Sequence, residues 1–250
     1  MIKWRLMLTT LPFVLVLVAA KLGMDTGLHF GGMIEFSDIA IILTGGIFLI
    51  GFMLAGTMTD YKESEKLPGE MACSMEAMEE GLCHIAAAKQ NIQASDARKW
   101  IRDLTDVIND WLYKKVKTDK VYAMLSQISD KIEPLDSTVL AVRVQNEIHS
   151  LRRMITRIDV ISRTSFIQSG YALMDTIVAL VLILLLIAKF DSLLSEGIVT
   201  AFVSLIYIYM VRLIRDIDDP FEYEEGKAKG AAEADLFPME EFRQRVKSRS

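Results

Sequence analysis

Four long apolar segments interrupt an otherwise polar chain. They cover residues 6–20, 36–58, 166–188 and 193–211. A helix needs about 20 apolar residues to cross the ~30 Å hydrocarbon layer of a bilayer, and the last three segments approach or exceed that length. The sequence therefore predicts a protein with membrane-spanning helices.

The first apolar segment has two interpretations. Its basic start, apolar centre and small residues at the end are also typical of a secretory signal peptide. When residues 1–5 are counted into the helix, the segment becomes long enough to span the bilayer, with Trp4 at the interface. We favour a retained first helix, which gives the chain four spans.

Basic residues near these segments predict the orientation of the spans, because cytoplasmic flanks are enriched in arginine and lysine. The loop at residues 21–35 and the turn between the last two segments each hold one lysine. The other flanks hold Arg152, Arg153, Arg157, Arg163, Arg212 and Arg215. We expect an integral protein of the plasma (inner) membrane with both termini in the cytoplasm.

The chain divides into alternating membrane and cytoplasmic parts. We assign residues 1–59 to transmembrane helices 1 and 2, residues 60–165 to a cytoplasmic helical region, residues 166–211 to transmembrane helices 3 and 4, and residues 212–250 to a cytoplasmic tail. No alternating strand pattern exceeds a few residues. The predicted fold class is all-α, with four transmembrane helices and a cytoplasmic helical layer.

Within the cytoplasmic region the apolar residues repeat with a helical period. Met71, Met75, Met78, Leu82 and Ile85 are separated by alternating steps of four and three, which places them on one face of a helix. Similar stripes predict three further helices, one of them from about Thr118 to Ile132. These stripes predict a small helical core.

Composition and charge narrow the function. The 250 residues are 52% hydrophobic with a net charge of −5, and the basic residues form no stripe that would bind nucleic acid. The sequence holds no nucleotide-binding loop and no nucleophile elbow, so we do not expect an enzyme. Cys73 and Cys83 fall in the predicted cytoplasmic region, where small buried thiols are expected rather than a disulfide.

The second span is unusual in its small and hydroxyl-bearing residues. Its glycines allow close approach of a neighbouring helix. Thr44, Phe48 and Phe52 follow one another at intervals of four and therefore share one face. Two interpretations remain open: copies of this helix line a shared central axis, or the helix packs closely within a monomeric bundle.

Asp175 is an ionisable residue a few turns into the third span. Placing such a group in lipid costs roughly 2.5–3.5 kcal/mol on insertion scales, so it should face protein or water. We favour a packing face near the membrane boundary, with Asp175 bonded to a neighbouring hydroxyl, over a role on an ion path.

Three features of the sequence are shared with a known family. The first is the order of two spans, a long cytoplasmic helical insert, two further spans and a tail. The others are DYKESEKLP, a polar-aromatic exit with a Leu-Pro step after span two, and DIDDPFEY, an acidic-Pro-Phe turn after span four. In these features the chain resembles the bestrophin superfamily of ion channels, in particular its divergent prokaryotic members.

The resemblance implies a five-fold ring of identical subunits whose neck is lined by Thr44, Phe48 and Phe52. It also implies chloride as the permeant ion. In calcium-gated relatives the acids near the Pro-Phe turn form part of a calcium clasp, and the matching residues are Asp218, Asp219, Glu222 and Glu224. We favour an arrangement in which these acids stay hydrated beside a buried Phe221. We expect no cofactor; bound calcium is the alternative interpretation of the acids, and we assign no metal site.

Acidic residues flank the predicted neck and oppose an anion preference. Glu35 and Asp38 would ring the outer mouth, and Asp60 and Glu63 the inner mouth. Because carboxylate rings favour cations, we expect weak charge selectivity. The predicted function is a homo-oligomeric, pentameric channel for small ions in the lipid bilayer. The alternative is a membrane-anchored scaffold or sensor whose cytoplasmic helices bind a partner.

Overall fold

The structure, a computed structural model, describes residues 4–28, 32–88, 93–133, 139–164, 168–223 and 232–249. Within these ranges the chain is almost entirely helical. The helices are α1 (Arg5–Gly23, continued by a π-helical turn at Met24–Leu28), α2 (Phe36–Ser64), α3 (Leu67–Ala88), α4 (Ala94–Leu112), α5 (Thr118–Ile132), α6 (Val139–Arg163), α7 (Gln168–Ile187), α8 (Leu193–Asp218) and α9 (Phe237–Ser248). Two short strands, β1 (Ile34–Glu35) and β2 (Ala188–Lys189), complete the elements.

The chain folds into two compact units. The first, which we call the membrane unit, comprises Met1–Asp60 and Ser165–Asp218. The second, which we call the helical unit, comprises Tyr61–Thr164 and Asp219–Ser250. Each unit has its own buried apolar cluster, because the two stretches of chain that form it pack against each other.

Four helices of the described chain are long and apolar enough to cross a membrane. The qualifying windows lie in Arg5–Thr26, Phe36–Ala88, Ser169–Ile187 and Leu193–Asp218. Large apolar side chains remain exposed on these helices, which would be unfavourable in water but suits contact with lipid. They include Leu8, Phe13, Leu15, Val16, Ile41, Phe48, Phe52, Leu180, Ile183 and Phe202. The four apolar helices identify an integral membrane protein.

One contact between α2 and α8 organises the core of the membrane unit. Tyr207 is fully buried, and its hydroxyl donates a hydrogen bond to the backbone oxygen of Leu43. The ring lies against Gly46, where an added Cβ would fall 2.6 Å from the Tyr207 hydroxyl. Gly46 is therefore required by the close approach of a tyrosine, and Ile39 and Ile50 extend the same buried seam.

Two short strands depart from the predicted all-helical pattern. They pair in parallel, with Ile34 opposite Ala188 and Glu35 opposite Lys189. The backbone N–H of Met33 extends this ladder by donating to the oxygen of Ile187 at 3.1 Å. A two-residue strand is too short to produce an alternating sequence pattern, which is why the sequence does not predict it.

The core of the helical unit follows the predicted apolar stripes. Met71, Met75, Met78 and Leu82 are fully buried in one cluster, and α5 has the predicted bounds, Thr118–Ile132. The expected burial of the cysteines is wrong, since Cys73 is exposed and Cys83 only half-buried. Cys73 lies two residues after Met71, which turns its side chain away from the stripe.

Candidate functional site

The exposed face of α2 carries the three residues predicted to line a neck. Thr44, Phe48 and Phe52 are all exposed, and the two phenylalanine side chains retain 64% and 62% of their accessible surface. Their rings touch edge to face, with centroids 4.5 Å apart and planes at 85°. A spacing of four residues brings side chains together on a helix, so the two rings form one continuous apolar ridge.

The opposite face of α2 is the face that packs inside the membrane unit. Ile39, Leu43, Ile50 and Thr57 are buried there. In an α-helix these positions lie about half a turn away from Phe48. The helix therefore uses one side for packing within its own unit and presents the phenylalanine ridge on the other.

Two glycines flank the phenylalanine ridge. Gly45 and Gly51 lie about 60° to either side of Phe48 around the helix axis. A Cβ added at either glycine would meet no heavy atom within 4 Å in the described part of the chain. Glycine at a helix surface lets a neighbouring backbone approach closely, and the backbone on both flanks of the ridge is open.

The threonines of this face make local hydrogen bonds. Thr44 Oγ1 donates to the oxygen of Ala40 at 2.9 Å, and Thr59 Oγ1 donates to the oxygen of Ala55 at 3.1 Å. Because each hydroxyl proton is used within the helix, the side chain turns its methyl group and an oxygen lone pair outward. The surface around the ridge is accordingly mostly apolar.

The acids predicted for the two mouths differ in their surroundings. Glu35 in β1 and Asp38 in the first turn of α2 are exposed, as is Asp60. Glu63 instead accepts two hydrogen bonds from one guanidinium, from Arg157 Nε at 2.9 Å and from Arg157 Nη2 at 2.6 Å. The bidentate pair offsets the charge of Glu63, so its carboxylate contributes little free negative potential.

Asp175 has a different partner from the predicted hydroxyl. Both of its carboxylate oxygens lie 2.7 Å from Arg215 Nη2, and both side chains are about half exposed. The guanidinium of Arg215 also lies 5.9 Å from the centre of the Tyr171 ring. From the sequence, Arg215 served only to predict the orientation of the membrane spans. In the fold its guanidinium pairs with Asp175, the one acidic residue of α7.

The acidic turn after α8 is anchored by its apolar residues, as predicted. Pro220 and Phe221 are buried, and Phe221 belongs to the core of the helical unit. The N–H of Ala234 donates to the oxygen of Pro220 at 2.8 Å, and the Tyr223 hydroxyl donates to the oxygen of Ala234 at 2.8 Å. Burial raises the pKa of the Tyr223 hydroxyl well above its usual range, so it remains a donor.

The residues of the predicted calcium clasp are not assembled into a metal site in the described part of the chain. Among those residues, no three acidic, histidine or cysteine side chains form a group that could hold a metal ion. Asp219 accepts a hydrogen bond from the N–H of Phe221 at 3.2 Å, and Glu222 is exposed. Asp218 ends α8 and accepts a hydrogen bond from Tyr171. Glu224 lies outside the described residues, so the clasp stays a prediction.

A buried cluster around Lys21 is not predicted by the sequence pattern. The ammonium group of this lysine lies 2.6 Å from the oxygen of Ala188, 3.0 Å from Asp25 Oδ2 and 3.7 Å from Glu196 Oε1. The sequence pattern places Lys21 in the loop at residues 21–35, where it serves only as an indicator of the orientation of the spans. The spacing of four residues between Lys21 and Asp25 was the available signal, because such pairs meet on a helix face.

Comparisons with known proteins give a whole-chain match at the level of structure. No protein-family model and no curated protein matches the sequence. A bacterial bestrophin homologue from Klebsiella pneumoniae, solved by zinc SAD phasing, is similar with a TM-score of 0.74 at 15% identity, covering 99% of this chain and 98% of that chain.

Two single-substitution variants of the Klebsiella pneumoniae bestrophin homologue match equally well. One has a TM-score of 0.75 at 15% identity, covering 97% of this chain and 99% of that chain. The other has a TM-score of 0.76 at 14% identity, covering 98% of both chains. At this identity the match defines the fold. The chain therefore has a bestrophin-like architecture, in agreement with the resemblance in its sequence.

Proposed function

We propose that the protein is a bestrophin-like ion channel in which several copies, five by family resemblance, surround a pore lined by α2. The observation that carries this proposal is the exposed ridge of Phe48 and Phe52 in a chain with the bestrophin fold along its whole length. Four α2 residues on the opposite face are already buried, so the ridge is the side of the helix available to a shared axis.

The proposed neck is a narrow apolar constriction. The Phe48 and Phe52 side chains of several subunits would meet around the axis. Thr44 would lie one turn nearer the outer mouth. A constriction of this kind controls conduction by its width and by dewetting, since ions do not enter a passage that water leaves. The open flanks at Gly45 and Gly51 would let neighbouring copies of α2 approach closely enough to keep the passage narrow.

The acids at the proposed mouths set the expected charge selectivity. Glu35 and Asp38 would place two carboxylates per subunit at the outer end, which favours cations. At the inner end the Arg157 pair offsets the charge of Glu63. The resemblance implies chloride, so these opposing contributions lead us to propose weak charge selectivity among small ions.

Conductance measurements on the reconstituted protein test the neck. Phe48→Ala and Phe52→Ala widen the apolar constriction, so each variant should conduct several-fold more or leak continuously. Phe202→Ala is the matched control, because Phe202 is a similarly exposed phenylalanine of the membrane unit, with 65% of its surface accessible, on α8. Reversal potentials in asymmetric KCl give the sign and degree of selectivity in the same experiment.

Several outcomes would contradict the channel. The pore-lining role of α2 would be contradicted if the wild-type protein carried no current. It would also be contradicted if the neck variants had the same conductance as Phe202→Ala. The mass of the intact complex gives an independent check, because a single subunit has no central axis along which ions could pass. A monomeric complex would contradict the proposed assembly.

A surface groove supports a second candidate function, a membrane-anchored scaffold. His149, Arg152, Arg153, Thr156, Arg157 and Val160 of α6 line a cavity of about 570 Å³ in the helical unit. Its basic lining would suit an acidic partner segment. If the protein is a scaffold, Arg153→Glu should abolish partner binding and Phe48→Ala should leave it unchanged. If the protein is a channel, Phe48→Ala should change the conductance and Arg153→Glu should leave it unchanged.

A further inference from the structure

A cluster of charged side chains is buried within the membrane unit, where α1, the π-helical turn, β2 and α8 meet. Lys21 is completely buried, and the side chains of Glu196 and Asp25 retain only 7% and 22% of their accessible surface. Ionisable groups at such positions are costly unless they are paired, so their presence calls for a function. The proposed pore on α2 does not use them.

The two carboxyl groups of the cluster are close neighbours. Asp25 and Glu196 both reach the ammonium nitrogen of Lys21, at 3.0 and 3.7 Å. Contact with one shared nitrogen holds the two carboxyl groups beside each other. Two ionised carboxylates are acceptors only, so they can share a hydrogen bond only when one of them holds a proton.

The charge balance leads to the same conclusion. With Lys21 charged and both acids ionised, the buried cluster would carry a net charge of −1. One proton shared by Asp25 and Glu196 makes the cluster neutral, as is usual where two carboxyl groups share a site. We propose that Lys21, Asp25 and Glu196 form a proton-binding site that holds one proton between the two carboxyl groups.

Unpaired oxygen atoms around the cluster support a site that takes up a hydrogen-bond donor. Asp25 Oδ1, Glu196 Oε1 and Thr200 Oγ1 are buried and have no hydrogen-bond partner in the described part of the chain. Thr200 follows Glu196 by one turn of α8 and so shares its face. A proton on either carboxyl group supplies one of the missing donors.

Among the residues that the structure describes, the other charged groups near the cluster are on the surface of the unit. The neighbouring charged residues in β1, in β2 and after β2 are Glu35, Lys189 and Asp191, and all three are exposed. The Phe190 ring covers Lys21, with its centre 5.6 Å from the ammonium nitrogen. Within the cluster, Lys21 neutralises one of the two carboxylates and the proposed proton neutralises the other.

The site is connected to the start of α2. Lys21 donates to the oxygen of Ala188, which pairs with Ile34 in the strand directly before α2. The Phe190 ring also contacts the ring of Phe36, the first residue of α2, with centroids 5.2 Å apart. Loss of the proton adds a second negative charge beside Lys21, which draws its ammonium group away from Ala188 and loosens this connection.

Infrared spectroscopy of the purified full-length protein tests the site without any measurement of conductance. At neutral pH the wild-type protein should show the carbonyl stretch of one protonated, buried carboxylic acid. Glu196→Gln should remove this band, and Asp38→Asn, which changes an exposed acid of the same unit, should retain it. A wild-type spectrum without the band overturns the proposal, whatever the variants do.

Melting temperatures provide the second measurement. The wild-type Tm should fall by at least ~2 °C as the pH rises and the proton is lost, because an unbalanced charge then remains buried. Glu196→Gln, or Asp25→Asn if the first variant does not fold, should remove this fall. A variant with the wild-type pH profile overturns the proposal. So does a wild-type protein stabilised by Na⁺ at neutral pH, since that result assigns a monovalent cation to the site. Neither measurement depends on conductance, so the proton-binding site can fail while the proposed channel holds, and the channel can fail while the site holds.

Discussion

Single residues in the membrane unit take their roles from distant partners. Gly46 is small because the fully buried Tyr207 lies against it, and Lys21 is buried because Asp25 and Glu196 surround its charge. The sequence predicts neither the contact of Gly46 with Tyr207 nor the contact of Lys21 with Ala188. Lys21 and its acceptor Ala188 are 167 positions apart, and a contact over that distance leaves no periodic signal in the chain.

At Gly46 we predict a clear loss of stability from a single methyl group. In Gly46→Ala the new Cβ would lie 2.6 Å from the Tyr207 hydroxyl and 3.1 Å from Ile177 Cγ2. Relief of this overlap moves the tyrosine away from Leu43, and overpacking of this kind costs about 1–3 kcal/mol. The measurement is the melting temperature of the purified protein.

Gly197→Ala is the control for this prediction, because Gly197 lies on α8, the helix of Tyr207, and an added Cβ there meets no heavy atom within 4 Å in the described part of the chain. Its melting temperature should stay within ~2 °C of the wild-type value. Equal melting temperatures for the two variants would mean that Tyr207 does not require a glycine at position 46.

Individual helices are the scale at which the sequence is most informative. The stripe from Met71 to Ile85 and the bounds of α5 follow from a repeat of apolar residues that a buried helix face demands. Thr44, Phe48 and Phe52 likewise share one exposed face of α2, as their spacing predicts, and the role of this face as a pore lining stays a prediction. The partners of Asp175 and Glu63 are both arginines of other helices, and the sequence had assigned those arginines only to the membrane boundary.

We predict that the flanks of the α2 ridge control assembly. Gly45→Leu and Gly51→Leu place a bulky side chain where the single subunit has open space, so each variant should fold. Under the proposed ring the same side chains obstruct the neighbouring helix, because glycine is what permits close approach. The mass of the intact complex in detergent should shift from the oligomer towards the monomer.

Gly197→Leu on α8 is the control for the assembly prediction, since an added Cβ there also meets no atom within 4 Å. It should retain the wild-type mass. Intact oligomers in both flank variants would place the contacts between subunits elsewhere than on α2.

At the scale of the whole molecule, the fold is retained at an identity of 13–15% with the matched structures. The reason is that membrane helices need an apolar surface of the right length rather than particular side chains. Order and length of the helices could therefore be predicted from the sequence. Ion-binding groups depend on individual side chains, so the calcium clasp of some bestrophins does not follow from the shared architecture.

We predict that calcium has no influence on the stability of this protein. In the described turn, Asp219 already binds the N–H of Phe221, and the anchors of the turn are the buried Phe221 and Tyr223. Chelation of calcium should leave both the melting temperature and the mass of the complex unchanged. A melting temperature that rises with added Ca²⁺, and loses that rise in Glu222→Gln, would instead establish a clasp.

The two faces of α2 bear on how such a complex is made in a cell. A newly inserted subunit would leave Phe48 and Phe52 against acyl chains, and lipid tails solvate these rings about as well as another subunit does. Single subunits would then remain dispersed in the bilayer without aggregating. Their encounter would be governed by mass action, so the number of copies per area of membrane would decide when currents first arise.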